Sequence, residues 1–155
     1  MNQALGKVVT AVMIDENDQD YFVQPDHNGQ TYRLPKDEAP QVLHIGGSVS
    51  GFVYENDQHQ LQMTCQHIPT VAVDHYDFGT VVAVRRDLGV FVDIGLPNKD
   101  VVVSLDELPT LKHLWPQPGD RLLIALRVDD HDRLWGTLAD EAIFATIANR
   151  PEKKM

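Results

Sequence analysis

One pattern written twice constrains this chain more than any other feature. Gly6-Lys7-Val8-Val9-Thr10-Ala11-Val12 is echoed by Gly79-Thr80-Val81-Val82-Ala83-Val84, and Tyr21-Phe22-Val23-Gln24 by Val90-Phe91-Val92-Asp93. Gln60-Leu61-Gln62-Met63-Thr64 returns as Arg133-Leu134-Trp135-Gly136-Thr137. The order of elements thus recurs at a spacing of about 70 residues, which reads as two tandem copies of one small domain. A chain of 155 residues with 43% hydrophobic residues has room for two such cores.

Each copy predicts five strands. Residues 79–85 are rich in Val, whose branched side chain fits a pleated, half-buried surface better than a helix. Asp87-Leu88-Gly89 supplies turn chemistry, and residues 90–94 then alternate, with Val90, Val92 and Ile94 on one face and Phe91 and Asp93 on the other. A large aromatic is thereby placed opposite the aliphatic core. A third strand is expected over 101–105, a helical turn near 111–115, and two more strands over 122–128 and 133–138. The first copy predicts strands over 4–14, 21–24, 30–34, 48–54 and 60–64, with a polar hairpin tip at 15–20 and a tight turn at Asp26-His27-Asn28-Gly29. Five short strands with one helical turn between the third and fourth predict an OB-type barrel. The expected fold is therefore all-β, two tandem five-stranded OB-fold barrels over 1–68 and 73–140. Ile143, Phe144 and Ile147 show helical spacing within 139–149, which adds a short C-terminal helix and the start of a linker over 141–155.

The second copy resembles an S1-like RNA-binding domain. The similarity rests on the glycine opening the first strand, Asp87-Leu88-Gly89-Val90-Phe91-Val92-Asp93-Ile94-Gly95, the strand closing in Asp106-Glu107-Leu108, and Pro118-Gly119-Asp120 before the fourth strand. It implies a nucleic-acid face with two aromatics on and before the second strand, a histidine on the third, and an Asp and an Arg flanking the last turn. Phe91, Asp129 and Arg133 match that pattern; Leu88 stands at the first aromatic position and Ser104 at the histidine. In the first copy Phe22 matches Phe91, but Asn56 and Gln60 replace the acidic and basic residues. Over nearly the whole chain, Leu34-Pro35-Lys36-Asp37-Glu38-Ala39-Pro40, Phe52-Val53-Tyr54 and Ile94-Gly95-Leu96-Pro97-Asn98-Lys99-Asp100 are similar to the conserved virulence factor B family. That resemblance implies a bacterial, RNA-binding protein with several S1-like barrels and a C-terminal winged helix, of which this chain is expected to be an N-terminal portion.

The formal net charge of −10 opposes a nucleic-acid reading, because phosphate neutralisation usually leaves a basic patch. The basic residues are unevenly placed, however. Lys7, Arg33 and Lys36 are those of the first copy, whereas Arg85, Arg86, Lys99, Lys112, Arg121, Arg127 and Arg133 belong to the second. Phe91 is therefore expected to stack a base, Arg133 and one of Arg85 or Arg86 to meet the backbone, and Asp129 to accept from a base or ribose. For Phe91 the competing reading is a surface aromatic covered by the neighbouring domain; for Asp129 and Arg133 it is a local ion pair. Phe22, Tyr21, Tyr32, Arg33 and Lys36 form a weaker candidate surface in the first copy, where the tyrosines are equally readable as rim cover.

Cys65 is the single cysteine, so an internal disulfide and a cysteine zinc site are excluded. The seven histidines lack metal-ligand spacing, Ser104 lacks an evident base, and no phosphate-binding glycine loop is present, so no cofactor and no enzymatic activity are expected. No apolar run reaches membrane-spanning length and the N-terminus lacks the core of a signal peptide; a cytoplasmic, monomeric protein is expected. Two function classes remain: a module that binds single-stranded RNA with little sequence preference, and a spacer or protein-interaction module whose RNA binding resides in C-terminal domains outside this chain.

Overall fold

The computed structural model describes residues 4–25 and 29–138. Among the described residues two compact units emerge: one holds 4–25, 29–69, 95–99 and 128–134, the other 70–94, 100–127 and 135–138. Among the described residues no helix is long and apolar enough to cross a membrane.

The first barrel is built from β1 (Lys7–Glu16), β2 (Asp20–Pro25), β3 (Tyr32–Pro35), β4 (Ser48–Glu55) and β5 (Leu61–Thr64), closed in the order β1-β2-β3-β5-β4. All neighbours are antiparallel except β3 and β5. A 3-10 turn, Lys36–Glu38, follows β3. A bulge between Met13 and Asp15 bends β1 so that one strand serves both β2 and β4. Met13, Val23, Tyr32, Leu34, Phe52, Val53 and Met63 fill the interior, each at 1% exposure or less. In β3 these side chains alternate with outward ones, as a closed barrel requires, whereas on β4 the run from Gly51 to Glu55 is buried throughout.

The second barrel repeats the plan with β6 (Asp77–Arg85), β7 (Gly89–Asp93), β8 (Val101–Ser104), β9 (Arg121–Val128) and β10 (Leu134–Thr137), closed in the equivalent order. Its core comprises Val81, Val90, Val92, Val101, Val103, Leu122 and Ile124. Two 3-10 turns, Leu105–Glu107 and Lys112–Leu114, lie between β8 and β9. β7 and β8 approach so closely at Gly89 that a Cβ there would sit 2.0 Å from the Val103 carbonyl oxygen, and the residue holds φ +145.

The all-β, tandem five-stranded architecture agrees with the sequence expectation. β3 starts at Tyr32, two residues later than expected, and the second copy has two helical turns where one was expected. The expected helix over 139–149 and the turn at Asp26, His27 and Asn28 lie outside the described residues.

Candidate nucleic-acid interface

The outer face of the second barrel carries a continuous cross-strand row. Ala83 on β6 is opposite Phe91 on β7, Phe91 is opposite Val102 on β8, and Val102 is opposite Trp135 on β10. Directly opposed residues share a face, so Phe91 and Trp135 stand on the same side of the sheet. Both are partly exposed, while their chain neighbours Val90, Val92, Leu134 and Gly136 are buried. Phe91 is where the alternation placed it. Trp135 was not singled out from the sequence, although the same alternation in Leu134-Trp135-Gly136 would have turned it outward.

Arg127 of β9 lies over the Trp135 ring, its guanidinium carbon 5.3 Å from the ring centroid. Its Nε is 3.5 Å from Glu107 Oε2. The other Glu107 oxygen accepts from the Thr137 hydroxyl and the Leu138 N–H, each at 2.8 Å. Cation, indole and carboxylate thus form one assembly at the β10 end of the row.

At the β6–β7 turn, Arg85 pairs with Asp87 at 2.8 Å, with both side chains well exposed. Arg86 is exposed too, and its carbonyl accepts from Lys112 Nζ at 2.8 Å. Leu88 is held by its backbone: its N–H donates to Arg85, and its carbonyl accepts from Leu105. An aliphatic side chain here offers no stacking face. The Ser104 hydroxyl accepts from the Asp106 N–H at 3.2 Å, so it caps the 3-10 turn in place of the histidine the S1 pattern expects.

Asp129 and Arg133 flank the β9–β10 turn, and Asp129 has a local role there. Asp129 Oδ1 accepts from the N–H groups of His131 and Arg133, at 2.8 and 3.0 Å, which ties that oxygen to its own turn. Asn56 does the same in the first copy, accepting from Gln58 and Gln60. Both turns place the residue three positions on, His59 or Asp132, at positive φ. The Asp or Asn at this position therefore closes a turn, a job either side chain performs. Arg133 Nε lies 4.0 Å from Glu55 Oε2. Glu55 is buried in the first unit, where it also accepts from Lys99 Nζ and the Leu134 N–H, each at 3.0 Å, and from His59 Nδ1. Burial pushes its carboxyl up, but the hydrogen bonds from His59, Leu134 and Lys99 outweigh this and hold it below its ordinary value.

The equivalent row of the first barrel is Asp15, Phe22, Arg33 and Gln62. Phe22 is partly exposed, as Phe91 is. Tyr32, in contrast, is fully buried and cannot present a ring to a ligand, and Tyr21 is 5% exposed with its hydroxyl accepting from the Leu43 N–H. These two tyrosines are core, because the strand register turns them inward. Arg33 is engaged by Asp20 at 3.1 Å and by Gln60 at 3.2 Å, and Lys36 by Glu16 at 3.4 Å. An acidic residue at one end of the row and a buried Gln at the other leave this face without the aromatic pair of the second barrel.

Closed five-stranded barrels with this strand order, repeated in tandem, define a protein of S1-like OB domains. A family described as "CvfB first S1-like domain" matches residues 76–137, and one described as "S1 domain" matches residues 5–66. The chain belongs to the conserved virulence factor B family. Conserved virulence factor B of Staphylococcus aureus strain bovine RF122 / ET3-1 is 40% identical over 118 residues, which is 75% of this chain and 38% of the relative. The Staphylococcus epidermidis relative is 42% identical over 131 residues, 77% of this chain and 43% of its own. A crystal structure described as a multidomain protein with nucleic acid binding domains, from Streptococcus pneumoniae TIGR4, is 48% identical with a TM-score of 0.81, covering 94% of this chain and 50% of that one. The chain thus spans about two fifths of the length of these curated relatives.

Proposed function

We propose that the second barrel binds single-stranded RNA in a bacterial cytoplasm, without catalysis and with little sequence preference. The observation that carries this reading is Phe91, partly exposed at the centre of a cross-strand row on the outer face of β7. Aromatic faces stack any base, so such a platform is tolerant of sequence. Arg86 and Arg85 at the adjacent turn supply phosphate contacts, because Asp93, two residues beyond Phe91 on the same face, repels a backbone running the other way. Arg133, whose side chain is 47% exposed, is a further phosphate contact. Asp129 is left out of the ligand set, since one of its oxygens serves its turn. Supporting the reading, the similar pneumococcal protein is described as having nucleic acid binding domains.

The first barrel favours a different role, that of a protein-interaction or spacer module. Its outer row begins with Asp15, Arg33 and Lys36 are engaged by acids, and Val42 and Ile45 are 73% and 71% exposed. The deciding experiment is an anisotropy titration of a short labelled single-stranded RNA at low and moderate salt. Phe91→Ala is expected to weaken binding by about 1–3 kcal/mol, and Phe22→Ala to leave it nearly unchanged. Absence of binding by the wild-type chain at low salt would overturn the proposal.

A further inference from the structure

We infer that Trp135 is a second base-stacking position, that Arg127 is the movable cover of that position, and that the preferred ligand is an extended, weakly self-stacked strand such as oligouridylate. This rests on the reading of the second barrel as an RNA-binding module and goes beyond it by naming the strand conformation and base class. Phe91 and Trp135 lie in one row but two strands apart, with Val102 between them. Neighbouring strands are about 4.8 Å apart, so the two rings are separated by about 10 Å. Successive bases of a stacked helical strand are spaced only about 3.4 Å along the axis. A strand that lays bases on both rings must therefore be splayed out, with those bases unstacked from each other. Purine-rich strands resist this most because their self-stacking is strongest; uridine runs resist it least. Val102 between the rings offers an apolar floor and no hydrogen bonds, so it adds no base selection of its own.

Arg127 makes the second position conditional. Its side chain is 43% exposed, and an ion pair of this kind is weak enough to exchange. An incoming base takes the ring face, and the guanidinium passes from Glu107 to the adjoining phosphate. Glu107 keeps its orientation through Thr137 and Leu138 and recovers the cation when the ligand leaves.

The test uses the two tryptophans of the chain. Trp115 is 4% exposed, with its indole N–H donating to the Pro109 carbonyl at 2.7 Å, so Trp115→Phe leaves Trp135 as sole reporter. Oligouridylate is expected to quench Trp135 emission and to bind more tightly than oligoadenylate of equal length. By anisotropy, Trp135→Leu is expected to weaken oligouridylate binding by about 5- to 150-fold, with Trp135→Phe retaining part of it. If Trp135→Leu binds as the wild type does while Phe91→Ala is weakened, the inference falls and the Phe91 platform stands. Oligoadenylate binding as tightly as oligouridylate overturns the extended-strand ligand. Absence of any binding by the wild type overturns both the inference and the function it rests on. Should Trp115→Phe fail to fold, the Leu and Phe variants of Trp135 in the otherwise unchanged chain decide the matter alone.

Discussion

His67 Nδ1 lies 2.9 Å from Glu38 Oε1, the oxygen that also accepts from the hydroxyl of Thr64. Glu38 ends the 3-10 turn after β3 and is 9% exposed, while Thr64 on β5 is fully buried. The Thr64 hydroxyl further accepts from the His67 N–H at 3.1 Å, so one side chain joins the turn, the last strand and the chain leaving the barrel. Thr64→Val keeps the shape and removes both bonds. It is expected to lower unfolding free energy by about 1–3 kcal/mol in a urea titration. His67→Ala should cost less, about 0–1 kcal/mol, because that side chain is 55% exposed. A Thr64→Val variant as stable as wild type would show that Glu38 is satisfied without it.

Glu55 links stability to pH with a definite sign. Its folded-state pKa lies below the ordinary carboxyl value of 4.5, so the folded form binds its proton less readily than the unfolded chain does. The stability it contributes is therefore fully present above about pH 4.5 and is lost as pH falls through the depressed value. Urea midpoints of wild type and Glu55→Gln should differ most near neutrality and converge on acidification. A gap that stays constant down to about pH 3 would assign the difference to packing instead.

Both barrels were legible in the sequence because strands such as β3, β7 and β8 alternate buried and outward residues, although β4 and β9 carry runs of consecutive buried ones. Val90 and Val92 inside with Phe91 outside is a pattern of period two, and the structure keeps it. The side-chain assignments were less legible, for local reasons. Tyr32 looked like a surface aromatic, but its register with Val23 turns it inward. Asp129 has a local role that the family resemblance did not point to: one of its oxygens accepts from two backbone N–H groups, as Asn56 does in the first copy. Trp135 was passed over because its importance comes from register: one strand, β8, separates it from Phe91, and only the pairing through Val102 brings them into one row.

Gly89 is required by that pairing. An added Cβ would meet the Val103 carbonyl oxygen at 2.0 Å, and φ +145 is outside the range L residues favour. Gly89→Ala must push β7 off β8 and is expected to cost about 3 kcal/mol or more, with loss of the Phe91 platform. Gly95→Ala is the control: φ is +94 but nothing lies within 4 Å of the new atom, so only the backbone penalty of about 1–2 kcal/mol applies. Thermal melts of the two variants should rank in that order, and equal midpoints would refute the steric account.

The two arginines of the β6–β7 turn should separate in their salt dependence. Arg85 already has Asp87 at 2.8 Å, so engaging a phosphate means giving up that pair. The Arg86 side chain has no ion-pair partner among the described residues, and its backbone is fixed by Lys112. A free, exposed cation next to a stacking platform releases a counterion whenever it meets a phosphate, and each such contact adds to the slope of log affinity against log salt. Arg86→Ala is expected to reduce that slope by about 1 and to weaken binding evenly across RNA sequences. Arg85→Ala should change the slope less, while Asp87→Ala frees Arg85 and should tighten binding at low salt. An unchanged slope in Arg86→Ala would move the phosphate path away from this turn and leave Arg133 as the cation to test next.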